Sequence, residues 1–137
     1  MAERIMKVVY YTMSAADRPG AAARVLQALS QAGVNLLAFS GFPRGRRAQL
    51  DFVPEKPELF RKAATRAKLK LQPKKTGFLV RGSDRPGAIA EVLQKLADVN
   101  INVTAVDAVS AGGGRYGAIL WVKPPDLKKA AKALRAI

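Results

Sequence analysis

The sequence predicts an α+β fold in which one small unit is built twice. The tetrapeptide Asp-Arg-Pro-Gly occurs at residues 17–20 and again, 67 positions later, at residues 84–87. Each copy follows an apolar run typical of a strand and precedes apolar residues at helical spacing. Each helix pattern then leads to a second apolar run that contains one asparagine, Asn35 or Asn102. Two tandem domains are therefore predicted, at residues 1–73 and 74–137.

The first half of the chain is predicted to contain four strands and two helices in the order strand, helix, strand, strand, helix, strand. Residues 4–13 are rich in β-branched and aromatic side chains, which favours a strand. Asp17 is expected to cap the next helix, with Pro19 in its first turn and Gly33 after its last. The remaining predicted elements are strands at 34–42 and 48–53, a helix at 56–67 and a short strand at 69–71.

The second half repeats this order but lacks a pattern for the last strand. Its predicted elements are strands at 76–81, 101–110 and 116–122, and helices at 86–98 and 125–136. Because exposed sheet edges are usually covered, we expect strand 69–72 or a partner chain to cover strand 76–81. Strand–helix–strand units that share an antiparallel sheet commonly form the ferredoxin-like sandwich, with both helices on one face. We therefore predict two ferredoxin-like βαββαβ units, the second without its last strand, packed as a pseudo-dimer.

Composition argues against several classes of function. Hydrophobic residues make up 49% of the chain, which indicates a globular protein. The chain has no cysteine and no histidine, so thiolate chemistry, the commonest general base and the usual zinc ligands are absent. The acidic residues are scattered singly and do not form carboxylate pairs at helical spacing. We predict no catalytic residues, no metal, no cofactor and no enzyme activity.

The net charge of +14 at pH 7 has two explanations, a nucleic-acid surface or a solvated basic exterior. The basic residues are spread over both halves and are not interleaved with aromatic residues, as a surface for stacking single strands requires. Nucleic acid is therefore the less favoured partner. With no signal-peptide pattern and no apolar run near the ~20 residues of a membrane span, we expect a cytoplasmic protein with no membrane partner.

The two halves match beyond the tetrapeptide when they are aligned at the 67-residue offset. Helix periodicity accounts for the shared leucines, but not for the paired Gln27 and Gln94 or the paired Asn35 and Asn102. This pattern resembles the ACT domain, a small regulatory module attached to many enzymes of amino-acid metabolism. The family signature is an Asp-x-Pro-Gly loop, a helix with spaced leucines and an Asn at the following strand. The resemblance covers nearly the whole chain, as two copies with no catalytic domain.

The Asp-Arg-Pro-Gly corners are candidate amino-acid sites. A helix start carries unpaired N–H groups and a partial positive charge, which attract a carboxylate. Glycine lets a ligand approach the backbone closely, and asparagine offers both a donor and an acceptor. The resemblance implies the same placing, between the first loop and helix of one domain and the second strand of a neighbour. The candidate residues are Asp17, Arg18, Pro19, Gly20, Ala21, Asn35, Leu36, Asp84, Arg85, Pro86, Gly87, Ala88, Ile89, Asn102 and Val103.

Each of these features also has a purely structural explanation. Asp and Pro start many helices, Gly can serve tight packing, and Asn is common at turns and strand edges. The two copies also differ, because Asn100 replaces Gly33 and Ile89 replaces Ala22. Since Ile89 offers an apolar wall, the second corner is the expected binding site if only one corner binds.

The sequence therefore predicts an allosteric sensor that binds a small amino acid and passes its occupancy to a regulated enzyme or other protein. A ligand that bridges two domains would bias their packing, provided that each arrangement binds it differently. We also expect a homodimer. The alternative is a basic interaction scaffold that binds nucleic acid or an acidic protein, with a steep dependence on salt.

Overall fold

The chain forms two compact units, described by a computed structural model for residues 3–137. The first unit is Val9–Lys75, and the second is Thr76–Ile137 together with the residues up to Val8. Each repeat has the order strand, helix, strand, strand, helix. The predicted tandem ferredoxin-like α+β fold is confirmed. The division at residues 73 and 74 stays a prediction for the repeats, but packing groups residues 3–8 with the second unit.

The first unit has an antiparallel sheet with two helices on one face. Its elements are β1 (Arg4–Ala16), α1 (Ala21–Gln31), β2 (Leu36–Arg44), β3 (Arg47–Pro54) and α2 (Pro57–Arg66). β3 lies between β1 and β2 and is antiparallel to both, so β1 and β2 run in the same direction. The core contains an aromatic cluster in which Phe60 lies 5.0 Å from Tyr11 and 5.4 Å from Phe52, measured between ring centroids.

The predicted strand at residues 69–71 is wrong as a regular element. Lys68 has a left-handed backbone (φ 59°) and Pro73 follows, so residues 69–72 are too few for a ladder. The segment still crosses beside β1, where the Gln72 amide donates to the carbonyl of Thr12 at 2.9 Å. Two leucines of the segment also pack against the core, Leu69 and Leu71.

The second unit repeats this plan. Its elements are β4 (Lys75–Ser83), α3 (Ala88–Ala97), β5 (Val103–Ser110), β6 (Arg115–Val122) and α4 (Leu127–Leu134), the last preceded by a short 3-10 turn at Pro124–Asp126. β6 lies between β4 and β5 and is antiparallel to both. Fully buried Phe78, Val92, Leu96 and Leu120 form the centre of its core.

The first residues of β1 complete the second sheet. β1 is the hydrogen-bonded neighbour of β4, and Ile5 is 4% exposed within the same core cluster as Phe78. On its other side, Lys7 donates to the Ile137 carbonyl and Ile137 donates to the Ile5 carbonyl, both at 3.0 Å. The prediction that strand 69–72 or a partner chain covers this edge is therefore wrong. The cause is the length of β1, which at 13 residues reaches from one unit into the other.

The Asp-Arg-Pro-Gly segments form turns, not side-chain helix caps. Gly20 has a left-handed backbone (φ 86°, ψ −13°), and the Ala21 amide donates to the Arg18 carbonyl at 3.3 Å. Proline followed by glycine with positive φ is the signature of a type II turn. Residues 85–88 form the same turn, with a φ of 83° at the glycine. The prediction that Asp17 caps α1 is wrong, because Gly20 occupies the cap position and no side chain caps the helix.

Candidate functional site

Each Asp-Arg-Pro-Gly turn borders a small cavity. The cavity beside residues 17–18, here called the first corner, measures about 260 Å³ and is closed by residues from β2 and β3. The cavity beside residues 84–89, the second corner, measures about 190 Å³ and is closed by the end of β5 and by Tyr116. The lining therefore includes seven of the predicted site residues: Asp17, Arg18, Asp84, Arg85, Gly87, Ala88 and Ile89.

In each unit, the asparagine lies at one end of its strand and the corner lies toward the other end. In the first unit, Arg47 pairs with both Ala16 and Arg44. The last residues of β1 and β2 therefore lie at the same end of the sheet. Asn35 precedes β2 at the other end, and Phe39, the first residue of that strand to line the corner, is four positions further on, about 13 Å along the strand. The same pairing pattern separates Asn102 from the second corner. The structure thus leaves four predicted residues away from the corner of their own unit: Asn35, Leu36, Asn102 and Val103.

The remaining predicted residues build the turns without lining the cavities: Pro19, Gly20, Ala21 and Pro86. At Gly87, an added Cβ would meet nothing within 4 Å, so its glycine is explained by its φ of 83°. Residues other than glycine enter this region at a cost of about 1–2 kcal/mol. The conformation of the turn is therefore sufficient to account for this glycine.

Apolar residues near the ends of β2 and β5 line the corners and were missed from the sequence. Phe39 and Phe42 line the first corner and are 38% and 43% exposed, while Val109 lines the second and is 68% exposed. The predicted fold makes β1 and β2 parallel, so the last residues of β2 lie near the turn that follows β1. This strand direction is the signal from which these residues could have been predicted. The two phenylalanines give the first corner an apolar wall that Ala22 does not supply.

Each corner also has two free backbone donors. In the first turn of α1, the Ala21 amide is used by the type II turn, and the Arg24 amide donates to the Gly20 carbonyl at 3.0 Å. Within residues 3–137, the amides of Ala22 and Ala23 find no protein acceptor. The equivalent amides of α3, at residues 89 and 90, likewise find no acceptor among the described residues. Paired N–H groups at a helix start favour an anion such as a carboxylate.

The charges of the second corner are paired internally. The Arg85 guanidinium donates to both Glu91 carboxylate oxygens, at 3.2 and 2.5 Å, and lies 3.8 Å from the Glu3 carboxylate. This hydrogen bonding raises the pKa of Arg85 and lowers the pKa of Glu91. Asp84 accepts a hydrogen bond from the Ser110 hydroxyl at 2.6 Å. Burial first, and the Glu3 carboxylate second, raise the pKa of Tyr116 on the cavity wall.

The first corner carries the opposite charge balance. The residue that corresponds to Glu91 at the 67-residue offset is Arg24, and its guanidinium lies 3.4 Å from where a Cβ on Gly20 would stand. Within residues 3–137, Arg18, Arg24 and Asp17 make no ion pair. Among the described residues, Arg18 and Asp17 thus remain unpaired in the lining of the first corner, and Arg24 adds a second unpaired guanidinium group beside the turn, outside the lining. Arg85, in contrast, is paired with Glu91 and lies close to Glu3. Coulomb attraction therefore favours a ligand carboxylate at the first corner.

The described part of the chain contains neither a membrane-spanning helix nor a metal-binding cluster. No helix among residues 3–137 has the length and hydropathy needed to cross a membrane. Nor do these residues contain a group of three or more side chains suited to hold a metal ion.

Both repeats of the chain match a known protein family. The ACT domain model matches residues 12–69 and again residues 77–137. The chain belongs to the ACT domain family. Both matched segments are ACT domains, which are non-catalytic regulatory modules, and this supports a ligand-binding regulatory role.

Solved structures show the same tandem ACT fold. Protein BT0572 from Bacteroides thetaiotaomicron has a TM-score of 0.82 at 16% identity, over 96% of this chain and 88% of that one. The aspartate kinase regulatory subunit from Thermus thermophilus has a TM-score of 0.65 at 19% identity, over 98% and 93% of the two chains. The corresponding subunit from Thermus flavus has a TM-score of 0.61 at 19% identity, over 98% and 94%. Comparison with curated protein sequences gives no significant match.

Proposed function

We propose that this ACT protein is a non-catalytic regulatory sensor that binds an amino acid at its first corner. The observation that carries this proposal is the set of uncommitted groups at and beside this corner. They are the guanidinium group of Arg18 and the carboxylate of Asp17 in the lining, and the Arg24 guanidinium and two backbone amides of the adjoining helix start. The corresponding groups of the second corner are largely paired with each other. The charge balance therefore reverses the preference for the second corner that Ile89 suggested.

The first corner complements each part of an α-amino acid. The α-carboxylate is placed against the amides of Ala22 and Ala23, with Arg18 and Arg24 supplying positive charge. The α-ammonium group is placed against Asp17, whose carboxylate has no partner within residues 3–137. The exposed rings of Phe39 and Phe42 supply an apolar wall for the ligand side chain.

The regulated partner is proposed to be a separate protein, such as an enzyme of amino-acid metabolism. Support comes from the similarity to regulatory subunits of aspartate kinase. Each asparagine lies at the other end of its strand from the corner of its own unit. A ligand at a corner therefore contacts Asn35 or Asn102 only if another unit or another chain supplies that residue. Such bridging would couple occupancy to packing, as long as the two arrangements bind the ligand with different affinity.

A thermal-shift screen of the twenty amino acids at millimolar concentration tests the proposal. At a hundredfold excess over its Kd, a ligand stabilises the folded state by about 2.7 kcal/mol, which corresponds to a Tm increase on the order of 5–10 °C. We expect at least one amino acid to give such a shift. Its carboxamide derivative, which lacks the carboxylate, serves as the matched control and should give a much smaller one. A flat response to all twenty would contradict the proposal.

We further propose that two chains associate through β5. Seven of its eight residues are exposed, including Val106 (37%) and Val109 (68%), and within residues 3–137 it pairs with β6 on one side only. Exposed strand edges with apolar residues tend to pair with another strand. Light scattering should give twice the chain mass of 14.7 kDa, and Val109→Lys should shift the protein toward that single-chain mass. A wild-type protein that stays monomeric at micromolar concentration would contradict this.

A further inference from the structure

A larger cavity of about 570 Å³, here called the basic pocket, lies in the first unit at the β2–β3 hairpin. Thr12 and Ser14 line it and alternate along β1 with the core residues Tyr11 and Met13, so they lie on the sheet face opposite the helices. Four basic residues line the pocket: Arg44, Arg46, Arg47 and Lys75. The basic pocket is therefore a separate cavity, which shares only the lining residue Ala48 with the first corner and no lining residue with the second.

Positive charge exceeds negative charge at the basic pocket, since four basic side chains line it and the buried Asp51 carboxylate lies beneath Gln49. The pocket lining contains no Asp or Glu, and its four basic side chains form no ion pair within residues 3–137. Arg61 on α2 shows the contrast, because it pairs with Glu58 at 2.7 Å. Like charges gathered in a concave surface repel each other and concentrate a positive potential, which a bound anion relieves.

Two of the arginines are held in place by neutral partners. Arg47 Nε donates to the Ser14 hydroxyl at 2.6 Å, and Arg44 Nη1 donates to Gln49 Oε1 at 2.8 Å. A neutral acceptor orients a guanidinium group without cancelling its charge. Arg44 and Arg47 are thus pre-oriented and remain available to an anion.

A buried carboxylate fixes this arrangement from below. Asp51 is 6% exposed and accepts from the Thr12 hydroxyl at 2.6 Å and from Gln49 Nε2 at 3.2 and 3.3 Å. Because a carboxylate only accepts hydrogen bonds, the amide nitrogen of Gln49 must face Asp51 and its oxygen must face Arg44. The chain of contacts from Thr12 through Asp51 and Gln49 therefore positions Arg44 at the pocket.

We propose that the basic pocket binds a small organic phosphate. Planar guanidinium groups match phosphate oxygens, and the Ser14 hydroxyl, which accepts from Arg47, keeps its own proton to donate. The volume lies within the range of about 300–1,000 Å³ that small-molecule pockets occupy. The lining contains no aromatic ring on which a nucleic-acid base could stack. A concave, pre-oriented site without a stacking surface favours a small phosphate over an extended nucleic acid.

Calorimetric titration with inorganic pyrophosphate and with ATP at 0.15 M salt tests this proposal. The wild-type protein should bind at least one probe, and Arg44→Gln with Arg47→Gln should weaken binding by about a hundredfold, since each removes a charged hydrogen bond. The matched control is Lys128→Gln with Lys129→Gln, which removes the same charge from exposed positions of α4. It should change the affinity by less than about threefold.

A third variant separates positioning from charge. Gln49→Met keeps all four basic residues but releases Arg44, so it should weaken binding by about five- to tenfold. An unchanged affinity in this variant, equal losses in the two double variants, or no binding by the wild type would each overturn the proposal. Tight binding of a ten-nucleotide single strand that also depends on Lys128 and Lys129 would instead indicate an extended nucleic-acid surface, and would likewise overturn it.

Discussion

Replacing Ile5 with alanine is expected to lower the free energy of unfolding by about 2–5 kcal/mol. Ile5 is 4% exposed and packs among Phe78 and Val80 in the core of the second unit, although it lies at the start of the chain. Truncation leaves a cavity that the surrounding strands fill incompletely. Trp121 is the chain's single tryptophan and is buried in this unit, so fluorescence-monitored urea unfolding reports the loss directly.

Lys7→Ala is the matched control for this experiment, because Lys7 is exposed on the same strand. It should change the free energy of unfolding by no more than about 0.5 kcal/mol. If Ile5→Ala were equally mild, the first residues of β1 would not complete the second sheet, and the assigned packing would be wrong.

Phe60→Ala is expected to destabilise the first unit by about 3–5 kcal/mol. Phe60 is fully buried, and its ring lies between those of Tyr11 and Phe52, at centroid distances of 5.0 and 5.4 Å. Its removal therefore opens a cavity at the centre of the aromatic cluster. Hydrogen exchange is the appropriate measurement, since it reads the amides of residues 9–75 separately from those of the second unit.

The control for Phe60 is Phe42→Ala in the same unit. Phe42 is 43% exposed, so its truncation removes less buried surface and should cost below about 1 kcal/mol. Similar losses in the two variants would contradict the assignment of Phe60 to the centre of the core.

Local patterns were enough to predict most of the fold. The alternation of Leu50 and Phe52 with polar neighbours predicted β3. Both side chains face the core, as expected. Gly33 and its counterpart Asn100 both adopt left-handed backbones after their helices, with φ of 80° and 60°. The difference between the repeats at this position is therefore conservative, because asparagine tolerates that region better than most residues.

The errors arose where two local rules competed or where distant contacts decided. Asp17 before a proline satisfies the rule for a helix cap, but the Pro-Gly pair satisfies the rule for a type II turn, and the turn is what forms. Short patterns could not predict which segment pairs with the outer side of β4, since that segment is β1, about 70 positions earlier in the chain.

The candidate site was predicted in part for the same reasons. The motif located both corners, but the walls from β2 and β5 follow from strand order and not from neighbouring sequence. One decisive signal was nevertheless readable in the repeat itself. At the 67-residue offset Arg24 corresponds to Glu91, and this exchange places a cation beside the first turn where the second has an anion.

Calorimetric titration of the amino acid that gives the largest thermal shift, into the wild type and two matched variants, tests the central claim most directly. Arg18→Gln should weaken binding about tenfold or more, because a charged contact to the carboxylate is lost at an exposed position that folding does not need. Arg85→Gln, its counterpart in the second repeat, should change the affinity by less than about twofold. Loss of binding in Arg85→Gln with retention in Arg18→Gln would contradict the assignment of the amino-acid site to the first corner.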